Sequence, residues 1–249
     1  MNRRIALCAA LALLGITLAA SAPPPVTVDT IVASYVAARG GIENLLSIQT
    51  LRQKGIALAG ADRRALVTRE LKRPGRIRFE FTVQGVTGVY VSDGRQGWQV
   101  SPFEGDMEVK PLPDEVVQEA LDQADLEGPL VDWKTKGHQV ELVGLETVAG
   151  SETYKLKLTL KGGGVRYEYL DVNTFREVRM DSTRQVRGRP VQFEATFGDY
   201  RKSSGILFPH QIEIGAIGRP ERMTIILDKI EVNPPLGDAR FEMPPPTKH

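Results

Sequence analysis

The sequence predicts a mostly β (α+β) protein built on one large antiparallel sheet. Most of the chain falls into short runs of period two, each with one apolar face, separated by turn residues. Only two stretches of useful length have helical spacing: one precedes the first run and one interrupts the series. No repeat of fixed period and no long linker divides the chain, which argues for one domain over 23–249.

The elements follow in order. Residues 1–22 are set apart: a basic "MNRR", an uncharged apolar run and small residues at "SA" have the layout of a secretory signal. Cleavage after Ala22 fits a small-residue rule through Ala20, and cleavage after Ser21 is the alternative. In "TVDTIVASYVAARGG", Thr27 or Asp29 can cap a helix with a stripe of Val28, Ile31, Val32, Tyr35 and Val36, and Gly40-Gly41 ends it. "IENLLSI" reads as a second, short helix.

The period then changes to two, with strands over 51–58, 65–71, 77–84, 87–92 and 97–101. Asp93-Gly94 joins the last two as a tight hairpin. In "RIRFEFTV", Ile77, Phe79, Phe81 and Val83 share one face, and Arg76, Arg78, Glu80 and Thr82 share the other. "LPDEVVQEALDQADLEGP" is the mid-chain helix, with Val116, Val117, Ala120, Leu121 and Ala124 on one side and Gly128-Pro129 as the stop. A brief helical turn is expected around 130–133. Strands resume over 140–145, 153–160, 165–171, 177–183, 191–200, 206–214 and 223–232. The proline-rich tail "NPPLGDARFEMPPPTKH" is expected to lie extended over the surface or fray.

About four large side chains fall on each apolar face, for example Tyr154, Leu156, Leu158 and Leu160. Burying one such side chain contributes on the order of 1.5–3 kcal/mol, so the face must be covered. Two sheets can pack as a sandwich. One sheet can close into a barrel. Or one strongly curved, unclosed sheet can be capped by the helices over a hollow.

Composition narrows the function. The 32 basic and 31 acidic residues nearly balance. Loss of the leader, which carries Arg3 and Arg4 and no acid, moves the formal charge from +1 to −1. That balance gives no electrostatic basis for nucleic acid as a partner. Cys8, the only cysteine, lies within the leader, so the exported chain has no disulfide, thiol nucleophile or thiolate metal ligand. Neither G-x-S-x-G nor H-E-x-x-H occurs, and His138 and His210 lack metal spacing. No metal, cofactor or enzyme activity is expected.

"YVAARGGIENLLSIQTLRQKG", "DGRQGWQVSP", "GPLVDWKTKGHQVELVGLETVAGSETYKLKL", "YLDVNTF" and "GILFPHQIEI" resemble, in order, the LolA-like family of outer-membrane lipoprotein-sorting proteins. The resemblance spans nearly the whole exported chain. It implies an unclosed half-barrel capped by an N-terminal helix and a mid-chain helical lid, in the periplasm, with an apolar cavity for acyl chains. Read from the apolar strand and helix faces, the candidate lining residues of such a cavity are Ile77, Phe79, Phe81, Val83, Trp98, Leu156, Leu158, Phe193 and Phe197, and the candidate lid residues are Val116, Val117, Ala120 and Leu121. The partners implied are acyl chains or lipoprotein cargo and a transient membrane-protein donor or acceptor, with the chain acting as a monomer. The family's carriers hold the lid with an arginine; Arg52, Arg69 and Arg78 are the candidates and stay open. A lipid- or lipoprotein-sensing module that regulates a membrane partner is the alternative function.

Overall fold

A computed structural model of the chain describes residues 26–60, 63–186 and 189–244. The leader expected over 1–22 lies outside the described residues. Thirteen strands are described: β1 (Thr50–Ala59), β2 (Arg63–Lys72), β3 (Arg76–Val83), β4 (Val86–Ser92), β5 (Gly97–Ser101), β6 (Asp106–Pro111), β7 (Gln139–Val148), β8 (Ser151–Thr159), β9 (Val165–Asp171), β10 (Glu177–Val186), β11 (Arg189–Ser203), β12 (Ile206–Ala216) and β13 (Arg222–Val232). All form one antiparallel sheet in the order β6-β5-β4-β3-β2-β1-β13-β12-β11-β10-β9-β8-β7. The sheet is not closed, so β6 and β7 are its two free edges, and the fold is the unclosed half-barrel. Register shifts at Lys54/Gly55, Gln99/Ser101, Leu142/Gly144 and Glu177/Arg179 are bulges that bend the strands.

Sequence reasoning found every strand except β6. Its alternation is only Met107, Glu108, Val109, Lys110, and Met107 is 73% exposed because an edge strand has one neighbour to pack on. The helical turn expected around 130–133 is a run of turns instead.

Cross-strand register assigns the faces. Ile77 pairs with Leu71, Phe79 with Arg69 and Phe81 with Val67; those pair in turn with Leu51, Gln53 and Gly55. Side chains directly opposite point the same way, so these residues line the inner face. On the other half Phe193, Ala195 and Phe197 pair with Ala216, Ile214 and Ile212. Gly55 sits where a Cβ would lie 1.9 Å from the Ile226 carbonyl oxygen, so only glycine admits β13 so closely there.

α1 (Val28–Arg39) starts at a capping box in which the Thr27 hydroxyl accepts from the Thr30 N–H at 3.2 Å and the Thr30 hydroxyl accepts from the Thr27 N–H at 2.9 Å. It ends at Gly40, whose φ of 123° no side chain adopts cheaply and whose Cβ would lie 2.6 Å from the Gly205 carbonyl oxygen. α1 and the short α2 (Ile42–Leu46) lie over one end of the inner face, where Ile31, Leu45, Ile48, Leu51, Leu71, Ile77, Leu156 and Leu158 form a closed core. α3 (Asp114–Gln123) joins β6 to β7. Those strands are opposite edges, so residues 112–138 must traverse the sheet, and they do so over the inner face. The stretch after α3 is anchored: Leu126, Leu130 and Val131 are buried in the core, and Arg73 holds the Glu127 carboxylate at 2.6 Å.

The described part of the tail, residues 233–244, lies over the outer face and packs there. Leu236 and Phe241 bury against Val91 and Trp98 on the outer face. Beside them Arg240 and Arg52 flank the buried Glu70 at 2.5 and 2.8 Å.

Candidate functional site

Past the closed end, the inner face is only half covered. Phe79, Phe81, Val83, Phe193, Phe197, Ile212, Ile214 and Ile225 are all partly exposed. Phe81 stacks between Phe79 and Phe103 at centroid distances of 6.1 and 5.1 Å, seated on Gly88, where a Cβ would lie 2.5 Å from the Phe81 ring. A hollow of about 650 Å³ opens at this end, lined by Ala59, Phe193, Ile214, Ala216 and Met223 together with the charged Arg63, Arg219, Glu221 and Arg222. A second, of about 330 Å³, runs under α3 past Val116, Leu160, Met180 and Arg184.

The residues expected to line one cavity therefore divide. Phe79, Phe81, Val83, Phe193 and Phe197 lie on the accessible part of the inner face. Ile77, Leu156 and Leu158 face inward but are 1%, 0% and 0% exposed, sealed by protein atoms. Trp98 is on the wrong face: it pairs with Val91 and packs under the tail with Leu236 and Phe241. The Asp93-Gly94 hairpin and the pleat give Trp98 the parity opposite to the inward Tyr90 and Gln99.

Of the expected lid residues, Val117 and Ala120 are buried, Val116 and Leu121 half-buried. Leu121 lies near the Gly75 turn, where a Cβ would be 3.1 Å from it. Polar contacts tether α3. The Tyr90 hydroxyl donates to the Val116 carbonyl at 3.0 Å, and Arg184 meets Glu119 at 3.3 Å. Arg69 donates to the Gln123 carbonyl at the helix C-terminus, where its charge also suits the helix dipole. Of the three arginines left open by the sequence, Arg69 alone touches the lid; Arg52 and Arg78 bind Glu70 and Glu80 on the outer face.

Between the closed core and the open strip lies a chamber of about 190 Å³ that sequence reasoning missed. Its walls include Tyr35 and Arg39 of α1, Gln53, Arg69, Asp125, Arg166, Glu168, Arg176, Glu177, Tyr200, Phe197 and Ile212. The Arg39 guanidinium donates to the Tyr35 hydroxyl at 3.0 Å and to the Glu127 carbonyl. Arg166 Nε is 2.7 Å from a Glu168 oxygen. Burial, then the neighbouring Glu168 charge, holds the Glu177 carboxyl well above the usual carboxylate range, which favours its protonated form. Burial also pushes the Tyr35 hydroxyl up to about 12 and lowers Arg69 to about 10. The signal for this chamber was present in "VRYEYLD": Arg166 and Glu168 share parity with the inward Leu170, while the bulky Tyr167 and Tyr169 point outward.

No family model matches the sequence, and no curated protein is similar to it. Among solved structures, a DUF1329 family protein from Desulfovibrio piger is 17% identical, with a TM-score of 0.60 over 86% of this chain and 97% of its own. A domain assigned to outer-membrane lipoprotein sorting in Vibrio parahaemolyticus is 13% identical, with a TM-score of 0.58 over 86% and 97%. A LolA superfamily protein of Nitrosomonas europaea is 14% identical, with a TM-score of 0.56 over 88% and 99%. At such identity the likeness is one of architecture: half-barrel sheet and helical lid together give this chain the LolA-like fold.

Proposed function

We propose that this protein is an exported, periplasmic carrier that shields lipid acyl chains, free or on a lipoprotein, and delivers them toward the outer membrane. One observation carries the reading: a continuous strip of aromatic and aliphatic side chains, from Phe79 and Phe81 to Phe193 and Ile214, is left half-exposed beside a lid. A hydrocarbon chain laid on that strip removes both its own surface and that of the strip from water. The 330 and 650 Å³ hollows are within the range of small-molecule sites. The lipoprotein-sorting assignment of the similar Vibrio domain agrees with this use of the fold.

The mechanism is burial without bond-making. α3 is tethered by the buried side chains of Val117 and Ala120, by a hydrogen bond and a partly exposed ion pair of about 1 kcal/mol each, and by the hydrogen bond from the charged Arg69, about 1.5–3 kcal/mol. The segment behind it is fixed in the core by Leu126, Leu130 and Val131. For cargo to enter, α3 moves about that anchor and gives up its Val117 and Ala120 contacts while the strands stay paired. Cargo is exchanged with a donor or acceptor at the membrane surface. No described helix is long and apolar enough to cross a membrane.

The test is to purify the protein from its native host, extract it with solvent and analyse the extract by mass spectrometry, alongside titration with a fluorescent fatty-acid probe. Co-purified acyl lipid and saturable probe binding are expected. Recovery of no lipid together with no probe binding overturns the carrier. A pulldown dominated by one membrane regulator supports a sensing role for the same surface.

A further inference from the structure

We propose that the chamber beneath α1 and the lid binds an oxyanion, a carboxylate or a phosphate, borne on the head of the amphiphile whose tail lies along the open strip; this rests on the carrier reading. Four guanidinium groups line the chamber, from Arg39, Arg69, Arg166 and Arg176. Its acids are already engaged. Glu168 is paired with Arg166, and Asp125 with Lys136 at 2.8 Å. Glu177 is held toward its protonated form.

Arg176 is exposed and lies over the Tyr200 ring at 5.7 Å, and the remaining two guanidinium groups face neutral partners. Arg39 has the Tyr35 hydroxyl and the Glu127 carbonyl. Arg69 has the Gln53 side-chain oxygen at 3.2 Å and the Gln123 carbonyl, and its buried Nε has no partner. A cation out of water without a counter-ion is costly, and an oxyanion between two guanidinium forks offsets that cost with charge-assisted hydrogen bonds. Shape agrees with charge. At about 190 Å³ the chamber is below the range of whole drug-sized ligands and suits a head group. Its apolar wall at Phe197 and Ile212 continues along the same face, four residues along β11 through Ala195 to Phe193 and two along β12 to Ile214, beside the larger hollow. A ligand with its head at Arg39 and Arg69 has its tail directed along that strip.

The experiment is calorimetric titration of the delipidated protein with three probes: lauroyl lysophosphatidate, monolaurin, which has the same tail without the phosphate, and inorganic phosphate. Lysophosphatidate is expected to bind about tenfold or more tightly than monolaurin, the scale of one hydrogen bond to a charged group. That ratio should fall toward one in Arg39→Gln and Arg69→Gln and persist in Arg39→Lys. The wild-type comparison decides the matter even if a variant fails to fold. Equal affinity for the two lipids overturns the oxyanion site and leaves the carrier standing. Binding of neither lipid overturns both. Inorganic phosphate binding as tightly as lysophosphatidate makes the chamber a free-anion site and removes the amphiphile from the proposal.

Discussion

Glu177→Gln should make the protein more stable at neutral pH, and the gain should depend on pH in a defined way. The carboxyl faces Glu168, Arg166, Arg39, Tyr35 and Tyr200 in the chamber, and burial together with the Glu168 charge raises its folded pKa well above 4.5. The unfolded chain ionises Glu177 near its ordinary value. Between the two values the native state holds one proton that the unfolded state has released. Stability therefore falls by about 1.4 kcal/mol per pH unit through that window, and it is fully present only below the unfolded value. Glutamine keeps the shape and can still donate to Glu168, but it has no proton to lose. The difference between variant and wild type should be near zero at pH 4. It should then widen by about 1.4 kcal/mol for each unit up to the folded value. Urea unfolding of both proteins at pH 4, 5, 6 and 7, with the slope m checked for constancy, measures it. Parallel stability curves across that range would refute the protonated assignment.

The division of the inner face gives a paired test. Leu156→Ala, at a fully sealed site, should cost about 2–5 kcal/mol. Phe193→Ala, on the half-exposed strip, should cost clearly less and weaken fatty-acid probe binding instead. If Leu156→Ala weakens probe binding and Phe193→Ala does not, the accessible strip has been misidentified. Trp98→Ala should loosen the tail around Leu236 and Phe241, raising proteolysis of residues 233–244 while leaving probe affinity as it was. Arg69→Gln removes a charged donor from the end of α3, so amide hydrogen exchange over 114–123 should speed up relative to β1 and β13; unchanged protection would show that Arg69 does not hold the lid.

Much of the sheet was legible because its signals are local. "RIRFEFTV" declares its faces within eight residues, and β9 begins and ends where its turn residues place it. β6 escaped notice because an exposed edge needs no apolar face. Trp98 falls among the expected lining residues, although parity and the tail residues together turn it outward. The polar chamber escaped for a related reason. Arg39, Arg69, Arg166 and Glu177 come from four elements, each of which reads as an ordinary solvated charge until strand pairing turns it inward.

By itself the sequence determined which segments extend, which coil and where each turns, since periodicity and capping act between residues a few positions apart. It could not determine that β1 would pair with β13, although the architecture follows from that pairing. Once those two strands join, β6 and β7 become opposite rims, the chain between them is forced across the trough as a lid, and scattered arginines converge beneath it. Contacts between residues so distant along the chain are selected by the packing of the whole, because the free energy that favours them exists only when the rest of the sheet is formed.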